Sequence, residues 1–450
     1  LINMFNLFIT QIPGRRPEIV SWCLDFPKSG VLGAGGEVLK NGFFFQGWVL
    51  TNKNLRAIPY VKHGGDKKYL SLNKDRVDVI ERVGKSKQLC RAQYKCGFGE
   101  KIPINSPGGV FGFEIQGRGY DVIKFSIEGD LKVLEGKAGW LFLDNDSNNS
   151  VLQFKGELGL SEKQKYAWRS YLTSFGSLAT SNNFGHAVLI APSKEMVIPE
   201  YYPYKRGKIT PVDEVEAISK NEHNLIHPVS QLKDFCKRPF RVCDSHWTPK
   251  GARCSFMEIL KILKLDEQIV YSLFESDEYK EYLLCGDLGN KIFPPRSAYE
   301  ELLLRVNYRK HVSYDNHLPN MGRIIVAHNE NSLYRKKIII FGSSSSYTML
   351  DYVCRVFTDV IFVHSAGNID RSVIQAENPN FVVAQTNGRF VIKPPSTEFD
   401  LLQEVKRKWA ELDMKAKENI LKNQGKRLAQ KVGFSTYFDR INKEYHLCSS

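Results

Sequence analysis

What this chain lacks narrows its class before any motif does. Its nine cysteines are an odd number, no two stand as Cys-x-x-Cys, and none joins a Cys/His cluster of zinc spacing. A zinc module and a cysteine-stapled secreted scaffold are therefore excluded, and no metal site is expected. Cys90 and Cys96 are the closest couple, with Cys236, Cys243 and Cys254 scattered further on, so reduced thiols in a cytoplasmic protein are the plainer expectation. The apolar opening Leu1–Ile9 is too short to span a bilayer and lacks the basic start of a signal peptide. A periplasmic location follows only if an export leader precedes Leu1, which is not Met. No internal repeat, no nucleic-acid motif and no long disorder-biased stretch is visible.

What is present is ordinary in bulk and specific in detail. A chain of 450 residues exceeds one typical core, so two domains are expected. Against 49 acidic residues stand 63 Lys and Arg, a formal charge of +14. Such a balance favours polyanionic partners. Because the basic residues are dispersed, an acidic polymer or an anionic nucleotide-bearing cofactor fits better than specific nucleic acid.

Up to about Glu128, short apolar runs such as Gly42–Leu50, Ile58–Val61 and Tyr120–Phe125 alternate with Gly, Asn and Pro. With helical signal only around Asp75–Val83, this predicts a small β-sandwich over residues 1–130. Beyond Gly129, helices alternate with β-branched strands, the pattern of an α/β layered domain with a mostly parallel sheet, over 131–398. Ser161–Gln164 opens a helix with a capping box, and Thr248-Pro249 caps another reaching about Leu263. Strands are predicted at His186–Ala191, Arg323–Ala327, Lys337–Phe341, Asp359–Val363 and Asn380–Gln385. Residues 399–450 form a basic extension, read as one helix from Leu401 to about Val432 with Lys406, Arg407, Lys408, Lys415 and Lys431 beside Leu401, Val405 and Trp409. Docking by its apolar face is expected, and lying on an anionic membrane is the alternative.

Two short segments carry chemistry. The run Lys337–Phe341 stops at Gly342 and is followed by Ser343, Ser344, Ser345 and Ser346; Asp244-Ser245-His246-Trp247 ends another apolar stretch. A serine hydroxyl becomes a useful nucleophile when a base takes its proton, and the base works best when a carboxylate fixes its tautomer. Asp244 and His246, at i and i+2, fall on one side of an extended backbone, and the helix after the serines would aim free N–H groups at a developing oxyanion. Taken singly, each segment reads more simply as a surface loop. Together they supply nucleophile, base and orienting acid.

Here the chain resembles the SGNH-fold O-acetyltransferases of the alginate O-acetyltransferase type. Gly136-Lys137-Ala138-Gly139-Trp140-Leu141-Phe142 is similar to that family's domain-opening motif, Asp244–Ala252 to its Asp-x-His-Trp segment, and Gly342–Ser346 to its nucleophile turn. Pro192-Ser193-Lys194 and Gly286-Asp287-Leu288 are weaker echoes. The likeness spans about Leu134 to Arg389 and keeps the motif order. It implies an SGNH-hydrolase-like three-layer domain, with Ser344, two residues after the glycine, as nucleophile. The chain departs from the pattern at Ser343, where Asp or Thr is usual, at Ser345, in place of an aromatic, and at Gly388, in place of an acid. The first domain resembles the small β-sandwich modules attached to bacterial glycan-processing enzymes, on the strength of Gly47–Leu50, Asp75–Val79 and Cys96-Gly97-Phe98.

The expectation is therefore an acyltransferase that acetylates a bacterial surface or capsular polysaccharide through Ser344, His246 and Asp244 and an acyl-serine intermediate. The alternatives are an acetyl esterase with the same triad and a non-catalytic glycan-binding assembly protein. Gly342, Ser343, Asn368 and Arg389 are candidates for oxyanion or substrate contacts; Asn368 reads equally as a turn residue and Arg389 as an ion-pair partner. No bound cofactor is expected. Acetyl-coenzyme A is the natural donor, an acidic polysaccharide the acceptor, and peripheral association with a membrane or export machinery a further expectation.

Overall fold

The structure, a computed structural model, describes residues 5–33, 39–52, 55–84, 93–129, 133–220 and 224–428. Cys90, Lys431 and the expected helix end near Val432 lie outside the described residues. The chain divides into two compact units, Leu1–Val133 with Cys285–Ser297, and Leu134–Leu284 with Ala298–Ser450.

In the first unit, β1 (Phe5–Gln11), β2 (Ile19–Phe26), β3 (Gly30–Leu32), β4 (Phe43–Thr51), β5 (Ala57–His63), β6 (Asp66–Tyr69), β7 (Gly97–Ile102), β8 (Gly108–Ile115) and β9 (Arg118–Gly129) make two sheets. Their orders are β3-β1-β9-β8-β5-β6 and β2-β4-β7, and the pairings described are antiparallel. Phe5, Phe111, Phe113 and Phe125 from the larger sheet share one core with Phe43, Phe45 and Phe98 from the smaller. The alternate residues of β4, Trp48 and Leu50, face the other way and meet Val79 of the helix Val77–Gly84. Period-two alternation thus buries one β4 face in the sandwich and the other under a helix.

After a short two-stranded pair, β10 (Val133–Glu135) and β11 (Leu141–Leu143), the second unit is built on β12 (Gly185–Ala191), β13 (Leu225–Ile226), β16 (Val312–Asp315), β17 (Ile324–His328), β18 (Tyr334–Gly342), β19 (Phe357–His364) and β20 (Phe381–Asn387), in the order β13-β12-β20-β18-β19-β17-β16. β13, β12, β20, β18 and β19 run parallel, and β17 is antiparallel to both β19 and β16. A separate ribbon pairs β14 (Tyr279–Leu284) with β15 (Ala298–Leu303).

Helices cover both faces of the main sheet, which is why its strands read as unbroken apolar runs. Ile338, Ile340, Val360 and Phe362 point to a core shared with helices Pro249–Ile262 and Ser346–Val356. Their neighbours Ile339, Phe341, Ile361 and Val363 point to a core shared with Glu162–Asn182, Arg371–Glu377 and Leu401–Glu411. The expected single terminal helix is broken: Leu401–Glu411 ends at Leu412, and Asp413 restarts the chain by accepting the Ala416 N–H at 2.7 Å. Leu401, Val405 and Trp409 are buried in the second unit's core, so this helix is docked by its apolar face. Among the described residues no helix is long and apolar enough to cross a membrane.

Candidate active site

Asp244–His246 is a tight turn, not the extended segment that its spacing suggested. Phe240 and Trp247 form an isolated bridge, the Arg241 N–H donates to His246 O at 3.2 Å, and the Thr248 N–H donates to Pro239 O at 2.8 Å. At the tip, Asp244 Oδ1 accepts the His246 backbone N–H at 2.8 Å and lies 2.7 Å from His246 Nδ1. A short carboxylate that takes the N–H two residues on is a turn-forming device. Here the oxygen that bends the chain also orients the imidazole. With Nδ1 donating to a carboxylate, Nε2 of the neutral ring is the acceptor, and it lies 2.9 Å from Ser344 Oγ. Thr248 caps the following helix by accepting the Gly251 N–H at 3.1 Å. Gly251 permits this packing, since a Cβ there would stand 2.3 Å from Pro239 O.

The four serines are not equivalent. Gln385 Oε1 accepts the Ser343 N–H at 2.7 Å and the Ser346 hydroxyl at 2.8 Å, and it lies 3.0 Å from Ser343 Oγ. Asn387 Oδ1 accepts the Ser345 hydroxyl at 3.0 Å. Ser344 alone takes no part in this network and turns to His246. At Gly342 a Cβ would stand 2.3 Å from Ser346 Oγ, so a side chain there would break the turn. The expected helical N–H cradle is largely absent, because the Ser345, Ser346 and Tyr347 N–H groups bond to Ser343 Oγ, Ser343 O and Ser344 O. Among the described residues the Ser344 N–H has no acceptor, which makes it the available oxyanion donor.

A buried lysine ties the separated motifs together. Lys194 Nζ donates to Leu141 O at 2.7 Å, Val242 O at 2.9 Å and Asp244 O at 3.1 Å, and it stands 4.9 Å from the Trp140 ring centre. One ammonium thus links the Gly-Trp-Leu-Phe segment to the Asp-x-His turn. Trp247, fully buried, donates its indole N–H to Ser345 O at 2.9 Å, joining the turn to the serines. Glu300 of β15 accepts the Val242 N–H at 2.7 Å and pairs with Arg238.

Burial pushes the Asp244 carboxyl up, but the hydrogen bonds and charge of His246 outweigh it and hold the group well below the ordinary carboxylate range. His364, whose backbone pairs with Gly342 on the next strand, is lowered to about 4 by burial and then by the Arg323 and Lys408 charges. The Tyr347 hydroxyl lies 3.1 Å from its Nδ1.

The structure brings Asp244, His246 and Ser344 together and gives the weaker candidates other work. The Ser343 N–H is engaged by Gln385, so it is not an oxyanion donor. Asn368 donates to Ser365 O at 2.6 Å and accepts the Ser396 N–H at 2.9 Å, the turn role rather than the oxyanion one. Arg389 Nε lies 3.3 Å from Asp146 Oδ2, the ion-pair role. Gln385, and the role of Asn387 as an acceptor for the serine turn, were not expected from the sequence, although two amides ending an apolar strand were a visible signal.

No protein-family model matches this chain, and no curated protein matches it. Among solved structures it is similar to Bacillus cereus PatB1, at 12% identity and TM-score 0.42 over 60% of this chain and 99% of that one. It is also similar to the O-acetyltransferase domain of Pseudomonas putida AlgJ, at 14% and 0.38 over 62% and 100%. A DHHW family protein from Eubacterium siraeum follows, at 12% and 0.34 over 64% and 96%.

Proposed function

We propose that the protein is an O-acetyltransferase acting on an acidic polysaccharide. The relay from Asp244 through His246 to Ser344 supports this reading, above all because Ser344 is the one serine of the turn left outside the Gln385–Asn387 network. Ser344 Oγ attacks the acetyl carbonyl of a thioester donor as His246 Nε2 takes the hydroxyl proton. The Ser344 N–H faces the oxyanion, and the imidazolium returns the proton to the departing thiolate. His246 then deprotonates a sugar hydroxyl, which attacks the acyl-serine and takes the acetyl group, and the imidazolium returns the proton to the departing Ser344 Oγ. Acetyl-coenzyme A is the donor this scheme requires if the reaction is cytoplasmic. The motifs resembling the alginate-type enzymes support an acetyl group and a glycan acceptor.

The test is to incubate the protein with acetyl-coenzyme A and a panel of acidic and neutral polysaccharides and to weigh the glycan products. Acetylated glycan should form with the natural chain and not with Ser344→Ala. Release of free acetate with no acetylated glycan would replace transfer by hydrolysis, and full transfer by Ser344→Ala would remove the assigned nucleophile.

A further inference from the structure

The relay has a cationic neighbour that acts on Asp244 by charge and not through a hydrogen bond. Arg241 lies across the hairpin from His246, joined to it by the backbone bond from Arg241 N–H to His246 O. Its side chain is 19% exposed, and its nearest carboxylate oxygen, Asp244 Oδ2, stands 3.8 Å from Nη1, too far for a hydrogen bond. Its Nε is buried with no acceptor among the described residues. Other partly buried arginines of this unit have hydrogen-bonded carboxylate partners: Arg323 grips Asp315 through two bonds, Arg355 bonds to Asp277, and Arg238, whose Nε is likewise without an acceptor among the described residues, pairs with Glu300. A guanidinium offers a planar fork of donors, and withdrawing it from water without acceptors is costly. Its geometry matches a carboxylate or phosphate held by two parallel bonds.

Resting on the acyl-transfer reading, we propose that Arg241 binds an anionic group, carboxylate or phosphate, of the molecule that reacts at Ser344. Bound at the Asp244–His246 turn, that anion would fix the partner's position relative to the relay. The charge therefore selects an acidic partner over its neutral counterpart.

Calorimetric binding to the Ser344→Ala protein tests this without requiring any chemistry. Two probe pairs distinguish where the anion resides: oligogalacturonate against its methyl ester for the acceptor, and coenzyme A against pantetheine for the donor. In one pair the charged member should bind at least about tenfold more tightly, and adding Arg241→Gln should bring it to the level of the neutral member. Arg241→Lys, which keeps the charge and loses the fork, should fall between them. No preference for the charged member in either pair, or a preference that survives Arg241→Gln in a protein of unchanged circular dichroism, would overturn the proposal. Failure of Ser344 to become acetylated would instead remove the acyl-transfer reading and leave the anion preference standing.

Discussion

The two units treat buried polar groups in opposite ways. Among the described residues, the first unit buries Thr51 and His63, while the second buries Lys194, Asp244, Thr248, Glu300, Asp315, Ser343, Ser346, His364, Gln385, Asn387 and others. Each such group must find a partner or cost stability. A sandwich of interlocked phenylalanines needs few of them. The parallel sheet is equally apolar along its strands but turns polar at the carboxyl ends of β18, β19 and β20, where loops build sites in such folds. The difference puts the proposed chemistry in the second unit, and it predicts which substitutions will trouble function and which only stability.

The largest expected effect is on chemistry. His246→Ala should lower transfer by about a thousandfold or more and also cost about 2 kcal/mol of stability, because the buried Asp244 carboxylate loses its imidazole partner; steady-state rates and urea titration check both halves. Next, Lys194→Met removes a donor shared by three carbonyls, of which Val242 O keeps the Leu141 N–H, and it should cost about 3 kcal/mol by urea denaturation and lower turnover through the displaced Asp244 turn. A comparable loss should come from acid. His364 has a folded value near 4, below the ordinary imidazole value, so between the two the unfolded chain holds the extra proton. Stability is therefore complete above the ordinary imidazole range and falls as pH drops towards 4, by about 3 kcal/mol. His364→Gln should flatten that limb in denaturation midpoints measured across pH.

Smaller effects sharpen the contrast. Gln385→Leu removes the acceptor shared by Ser343 and Ser346 and should slow transfer by about tenfold to a hundredfold while costing about 2 kcal/mol. Thr51→Val in the first unit leaves Leu55 O without its hydroxyl donor, for about 1 kcal/mol by the same titration. A Thr51 effect as large as that of Lys194 would break the comparison.

The fold was legible wherever periodicity speaks. The apolar runs of β12, β18, β19 and β20, the capping box at Ser161 and the Thr248-Pro249 helix start all lie where the residues place them, since burial on both sheet faces and terminal N–H satisfaction are local demands. The break at Leu412 was less visible because Asp413 acts as a turn residue inside an otherwise helical pattern. At the site, the residues were legible and the backbone was not. Asp244 bends its own chain through His246 N–H, a competition between side chain and main chain that spacing alone does not reveal. Lys194 and Gln385 were harder still, because their partners lie about 50 and 40 positions away.

Peptide-mapped mass spectrometry after brief exposure to acetyl-coenzyme A alone tests most directly whether one serine of the four is the nucleophile. A single acetyl group on Ser344, absent from His246→Ala, is the expected result. Acetyl on Ser343, Ser345 or Ser346, or labelling that does not need His246, would contradict it.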